Sequence, residues 1–152
     1  MVRNILGVVV GYISMFIFVF ISFTALYFIL GAEGAFEPDT YQVSIVWIII
    51  SFVLSIIAAL LGGYVCKFIS KSKKAVYTLA GVVFVLGIVF AIPALSNSDD
   101  EVHEIRNADV PNMEAMQKAK QPPFVALLNP LIGAIGVIAG GRLKKSEKKI
   151  IL

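Results

Sequence analysis

The sequence predicts an all-α integral membrane protein, a bundle of four transmembrane helices in two antiparallel hairpins with both termini cytoplasmic. Three observations predict it. Hydrophobic residues make up 59% of the 152-residue chain and the mean hydropathy is +0.90, whereas soluble domains are roughly half apolar and about a quarter charged. Four long runs are free of charge, and a helix of about 20 residues, rising about 1.5 Å per residue, crosses a hydrocarbon core of about 30 Å. The segments joining those runs are alternately basic and acidic, which is how membrane orientation is encoded.

The first span, TM1, covers residues 5–30 and follows a short basic start with Arg3. Its apolar run exceeds the roughly 7 to 15 residues of a signal-peptide core. Despite the small residues GAEGA at 31–35, it reads as an uncleaved span, long enough to tilt. Gly7, Gly11, Ser14, Ser22 and Ala25 fall near one helical face and suit contact with another helix. Phe16, Phe20, Phe23 and Tyr27 form a bulky stripe suited to lipid.

The next segment carries Glu33, Glu37 and Asp39 without a base, and Pro38-Asp39 marks a turn. TM2 covers residues 43–66. Ser44, Ser51, Ser55, Ala58, Ala59, Gly62 and Gly63 gather on one side of it, with Ser51, Ser55, Ala59 and Gly63 forming a small-xxx-small ladder. Each serine hydroxyl is expected to bond the carbonyl one turn back, so none demands a catalytic role. KFISKSKK (67–74) brings Lys67, Lys71, Lys73 and Lys74 and no acid. It is short enough to make TM2 and TM3 antiparallel neighbours. TM3, residues 75–95, has Gly81, Gly87 and Ala91 as small residues and Pro93 near its exit, where proline ends a helix.

Residues 96–122 form the one sizeable polar segment, with Asp99, Asp100, Glu101, Glu104, Asp109 and Glu114 outnumbering Arg106, Lys118 and Lys120. A short helix is expected over 111–120, capped by Asp109 and turning Met113 and Met116 to its less polar side. Pro122-Pro123 then separates it from TM4 or opens TM4, where missing amide donors do no harm. TM4 covers residues 123–143, and a basic tail occupies 144–152. Arg3, Lys67, Lys71, Lys73, Lys74, Arg142, Lys144 and Lys145 all fall on one predicted side, which assigns that side to the cytoplasm. Tyr27 and Tyr41 then lie near the outer boundary, and Tyr64 and Tyr77 near the inner one. A net charge of +3 raises the question of nucleic acid. The bases sit at the ends of apolar runs, so they read as orientation signals, the lipid bilayer is the expected partner, and no nucleic acid is.

The charge-free spans also bound the chemistry. Residues 4–30, 43–66, 75–95 and 124–141 contain no Asp, Glu, Lys, Arg or His, and such residues mark proton relays and coupled transport. A single cysteine, Cys66, leaves no disulfide and no multi-cysteine metal site. It reads as a small packing residue beside Gly62 and Gly63 in preference to a lipidation site. His103 stands among acids in DDEVHEIR without metal-ligand spacing. No nucleophile–base pair or phosphate loop occurs, so no catalytic, cofactor or metal residue is assigned, and no enzyme is expected.

Asn129-Pro130 in TM4 is the candidate polar site. Proline there frees the carbonyl of Ala126 and bends the helix. The asparagine either makes an interhelical hydrogen bond, worth about 0.6 to 2 kcal/mol, or lines a polar cavity. Gly133, Gly136 and Gly140 share its face and read as a packing groove for TM1, TM2 or a second copy. The layout, with the stretch NMEAMQKAKQPPFVALLNPLIGAIGVIAGG (112–141), resembles small, uncharacterised four-span proteins of bacterial inner membranes. That resemblance implies a multi-pass cell-membrane location and no activity. Two functions remain. One is a non-enzymatic protein acting through helix–helix association, with itself or a membrane-protein partner. The alternative is a passive channel or small-solute transporter using Asn129-Pro130 and the TM2 serines. A polar cavity reaching Asn129 favours the second.

Overall fold

The computed structural model describes residues 2–96 and 110–143. Expectations resting on His103, Asp109, Lys144 and Lys145 lie outside the described residues. The chain is all-α, with α1 (Val2–Ala35), α2 (Ile45–Ser70), α3 (Lys73–Ser96), α4 (Asn112–Lys118) and α5 (Pro123–Leu143). Four of these, all but α4, are long and apolar enough to cross a membrane. Phe16, Phe28, Phe90 and Ile135 point outward from them, as lipid contact requires and water would not favour.

The helix ends differ from the sequence expectation for local reasons. α1 passes Leu30 and reaches Ala35, and Gly31 at φ 66° and ψ −178° interrupts its geometry. Glycine takes that backbone shape without a Cβ clash. Ser44, expected on the packing face of TM2, instead caps α2: its hydroxyl accepts from Trp47 N–H at 3.1 Å and donates to the Gly34 carbonyl at 2.6 Å. Such a cap satisfies an otherwise orphaned amide of the first turn. At its other end α2 runs past Cys66 to Ser70, so Lys67 belongs to the last turn, where a cation complements the helix dipole. Lys67 is buried and its ammonium donates to the Lys71 carbonyl at 3.3 Å. Lys71, at φ 53°, closes the helix in the left-handed region, and α3 starts at Lys73.

α3 continues through Pro93 to Ser96 instead of stopping at the proline. α4 covers Asn112–Lys118, with Pro111 at its N-cap position and no side-chain cap bond. Its buried residue is Ala115, while Met113 and Met116 are exposed, and Met116 stands beside Ala115 in a cavity wall. Pro123 opens α5.

The starts of α1 and α3 and the ends of α2 and α5 share one end of the bundle. Arg3 Nε donates to the Ile69 carbonyl at 3.3 Å there, and a Cβ on Gly141 would meet Val76. The described orientation residues Arg3, Lys67, Lys71, Lys73, Lys74 and Arg142 therefore collect at this end. Laterally, α2 packs chiefly on α1 and α5, and α3 chiefly on α5. α2 and α3 are antiparallel but are not each other's main neighbours. At the lysine end all four long helices build one core around Ala59, Cys66, Leu79 and Val137, with Tyr12 and Met15 packed against it. At the opposite end the core is Tyr27, Ala35, Phe36, Tyr41, Val43, Val110 and Ala115. There α4 and the α1–α2 link take the place that α3 holds at the lysine end.

Candidate functional site

The ladder on α2 does two different jobs along its length. Residues four apart stack on one helical face, so Trp47, Ser51, Ser55, Ala59 and Gly63 form one line. On α5 the facing line is Val125, Asn129, Gly133, Gly136 and Gly140. Towards the lysine end the two lines touch. A Cβ on Gly136 would lie 2.6 Å from the Ala59 Cβ. Gly63 abuts the Val137 carbonyl, and Gly140 abuts the Leu60 carbonyl. Such backbone approach is what small residues permit between membrane helices. Towards α4 the same lines separate, and a cavity of about 40 Å³ opens between them, lined by Ser51, Ser55, Gln121, Asn129, Trp47 and Phe23 among others.

A second cavity of about 190 Å³ lies on the α4 side of the first, walled by Phe23, Tyr27, Phe36, Trp47, Ala115 and Met116, with Asn112 and Gln121 contributing polar groups. Phe23, Val43, Trp47 and Gln121 line both, so the two spaces adjoin. Among the described residues no lining side chain carries a charge.

The polar floor is incompletely satisfied. The Ser51 hydroxyl is buried and has no hydrogen-bond partner among the described residues, contrary to the expected bond to a carbonyl one turn back. Ser14, Ser70 and Thr78 do make that bond, to Val10 at 2.8 Å, Cys66 at 2.7 Å and Lys74 at 3.0 Å. Among the described residues Asn129 forms no interhelical hydrogen bond either; its side chain borders the cavity. A buried polar group left unpaired costs about 1 to 3 kcal/mol, so the Ser51 hydroxyl gains from any partner that reaches it, and the part-exposed Asn129 carboxamide stands beside the same space. Pro130 is buried against Gly87, a Cβ on which would sit 2.9 Å from the proline ring, and α5 stays helical through it.

The cover is held from both sides. Tyr27 O–H donates to the Val110 carbonyl at 2.5 Å, and Tyr41 O–H donates to the Glu114 carboxylate at 3.2 Å. Lys120 N–H bonds the Tyr41 carbonyl at 2.8 Å and Val43 N–H bonds the Lys120 carbonyl at 3.1 Å, which ties the segment after α4 to the link between α1 and α2. Lys118 pairs with Glu114 at 3.2 Å and stands 5.1 Å over the Tyr41 ring. Within the wall, Phe23 and Tyr27 both meet Trp47 edge to face, at centroid distances of 5.8 and 6.4 Å.

The other small residues expected on packing faces separate by interface. Gly7 and Gly11 lie against Cys66 and Ser70 of α2. Gly133 faces Val83 of α3, and Gly87 faces Pro130 of α5. The α5 glycines thus serve α2 and α3, not α1. Gly81 has open space around it and Ala25 is exposed, so neither packs inside the bundle. Phe16 and Phe20 of the expected lipid stripe are exposed, but Tyr27 is buried and Phe23 lines the cavity. Cys66 is fully buried. Tyr27, Phe23, Trp47 and Gln121 were not legible as site residues, although the lone tryptophan, one helical step before Ser51, was an available signal.

Together, the apolar helices and the half-depth cavity define a four-helix protein of membrane type. No protein-family model matches the chain, and neither curated proteins nor solved structures give a match.

Proposed function

We propose that the protein is a non-enzymatic carrier or passive channel for a small uncharged solute, with the cavity ending on Ser51, Ser55 and Asn129 as its solute site. The observation that carries this reading is the cavity itself, whose described lining is uncharged and whose floor offers polar groups without hydrogen-bond partners among the described residues. The contact of Gly63, Gly136 and Gly140 across α2 and α5 is the barrier that a transported molecule has to pass. The lysine end faces the cytoplasm by the positive-inside rule, so the cavity and α4 face outward. A bacterial inner membrane is the location that the sequence resemblance favours. The test is solute flux into proteoliposomes, read with glycerol by light scattering. Wild-type protein accelerates entry over protein-free vesicles, and Asn129→Leu reduces that increment at least tenfold; equal flux in the variant contradicts the reading.

A second reading, association with another copy or a membrane partner, is favoured by one observation. Gly7, Gly11, Gly63, Gly136 and Gly140 are used within the chain, whereas Gly81 offers a notch on an exposed face of α3 beside Tyr77 and Thr78. Gly81→Leu then dissociates an oligomer in mild detergent. Unchanged migration on a sizing column counts against association through α3.

A further inference from the structure

We propose that the cavity takes a small, neutral, single-ring aromatic molecule bearing one hydrogen-bonding substituent, with the ring among Phe23, Tyr27 and Trp47 and the substituent on Ser51 and Asn129. The proposal rests on the reading of this cavity as a solute site and names its ligand class. Size supports one ring: the wider space is about 190 Å³, and an apolar cavity of about 150 Å³ accepts benzene. The narrow floor is about 40 Å³, far below the roughly 150 Å³ of a cavity that accepts benzene, so it has room for a hydroxyl, carbonyl or amide group but no second ring.

Wall chemistry supports an aromatic body. Phe23 and Tyr27 already pack edge to face on Trp47, and a further ring extends the same offset geometry that aromatic quadrupoles prefer. Floor chemistry requires the substituent. Among the described residues the buried Ser51 hydroxyl has no partner and the Asn129 carboxamide borders the same space, so a hydrocarbon chain in this place leaves both unpaired. The described lining disfavours charge, since none of its side chains can neutralise it, and burying an unpaired ion costs several kcal/mol.

Trp47 is the chain's single tryptophan and lines both cavities, so its emission reports occupancy directly. The experiment titrates the full chain in detergent with phenol, benzene and benzoate. The expected result is a saturable change with phenol, affinity for benzene at least tenfold weaker, and no saturable change with benzoate. Asn129→Leu lowers phenol affinity to the level of benzene, with the thermal transition retained; if that variant does not fold, Ser51→Ala lowers it at least threefold. Benzene binding as tightly as phenol, saturable benzoate binding, or phenol affinity unchanged in the folded variant overturns the proposal. Glycerol flux that needs Asn129, beside a Trp47 signal indifferent to phenol, overturns the ligand class and leaves the solute-site reading standing. Loss of both overturns both.

Discussion

Gly63 of α2 rests directly on the backbone carbonyl of Val137 in α5, in the space where any other residue would carry its Cβ. Gly140 of α5 makes the reciprocal approach to the Leu60 carbonyl of α2. A carbonyl held in a helix cannot swing aside as a side chain does, so the added atoms must push the two helices apart. Overpacking of this kind costs about 1 to 3 kcal/mol. Gly63→Val and Gly140→Val each lower thermal stability in detergent by about that much, and Gly136→Leu disrupts the same seam. Gly81→Ala, with open space around it, leaves stability unchanged or raises it by up to about 1 kcal/mol through helix propensity.

Thr24 supplies a cleaner test of the cost of unpaired hydroxyls. Its oxygen is buried without a hydrogen-bond partner among the described residues, and it does not line either cavity. Thr24→Val keeps the shape and removes the unsatisfied group, so the melting temperature rises, by the equivalent of about 1 kcal/mol. A lower melting temperature means that the hydroxyl has a partner in solution.

Tyr27 joins the bundle to its cover through the bond to the Val110 carbonyl. Tyr27→Phe removes that bond while retaining the ring beside Trp47. The loss is about 1 kcal/mol, and it is local: amide hydrogen exchange in α4 quickens, while exchange around Leu79 and Val137 stays as in the wild type. Uniform acceleration throughout the bundle contradicts a local role.

Cys66 is enclosed by α1, against Gly11, and its thiol has no exposure. A maleimide reagent therefore labels the folded protein negligibly and labels it fully after denaturation. Rapid labelling of the folded chain contradicts the α1–α2 packing and reopens Cys66 as a modification site.

Much of the fold was legible because a bilayer makes sequence rules simple. Charge-free length marked the four long helices, and the spacing of Gly7 and Gly11, or of Ser51, Ser55, Ala59 and Gly63, marked faces turned inward. The cavity was less legible. Tyr27 lay on a stripe that periodicity assigned to lipid, and it is buried because Val110 and α4, far away in sequence, fold over it. Ser51 had a local partner available one turn back, yet among the described residues its buried hydroxyl has none, beside the cavity between α2 and α5. Asn129 was singled out by its polarity, but its freedom from other helices depends on where those helices stop touching. Lys67 read as a loop residue because charge normally ends a span. As a good helix former at a dipole-favoured position, it extends α2 by a further turn.

The central claim is that one space runs from the α4 end down to Asn129 and is shut below by the glycine contact of α2 with α5. Cysteine accessibility tests it directly, using Asn129→Cys and Gly136→Cys in a Cys66→Ala background and a small, membrane-impermeant thiol reagent applied to each side of sealed vesicles. The account predicts that Asn129→Cys reacts from the α4 side alone and that Gly136→Cys, where it folds, reacts from neither. An inert Asn129→Cys, or one that reacts from the lysine side, contradicts it.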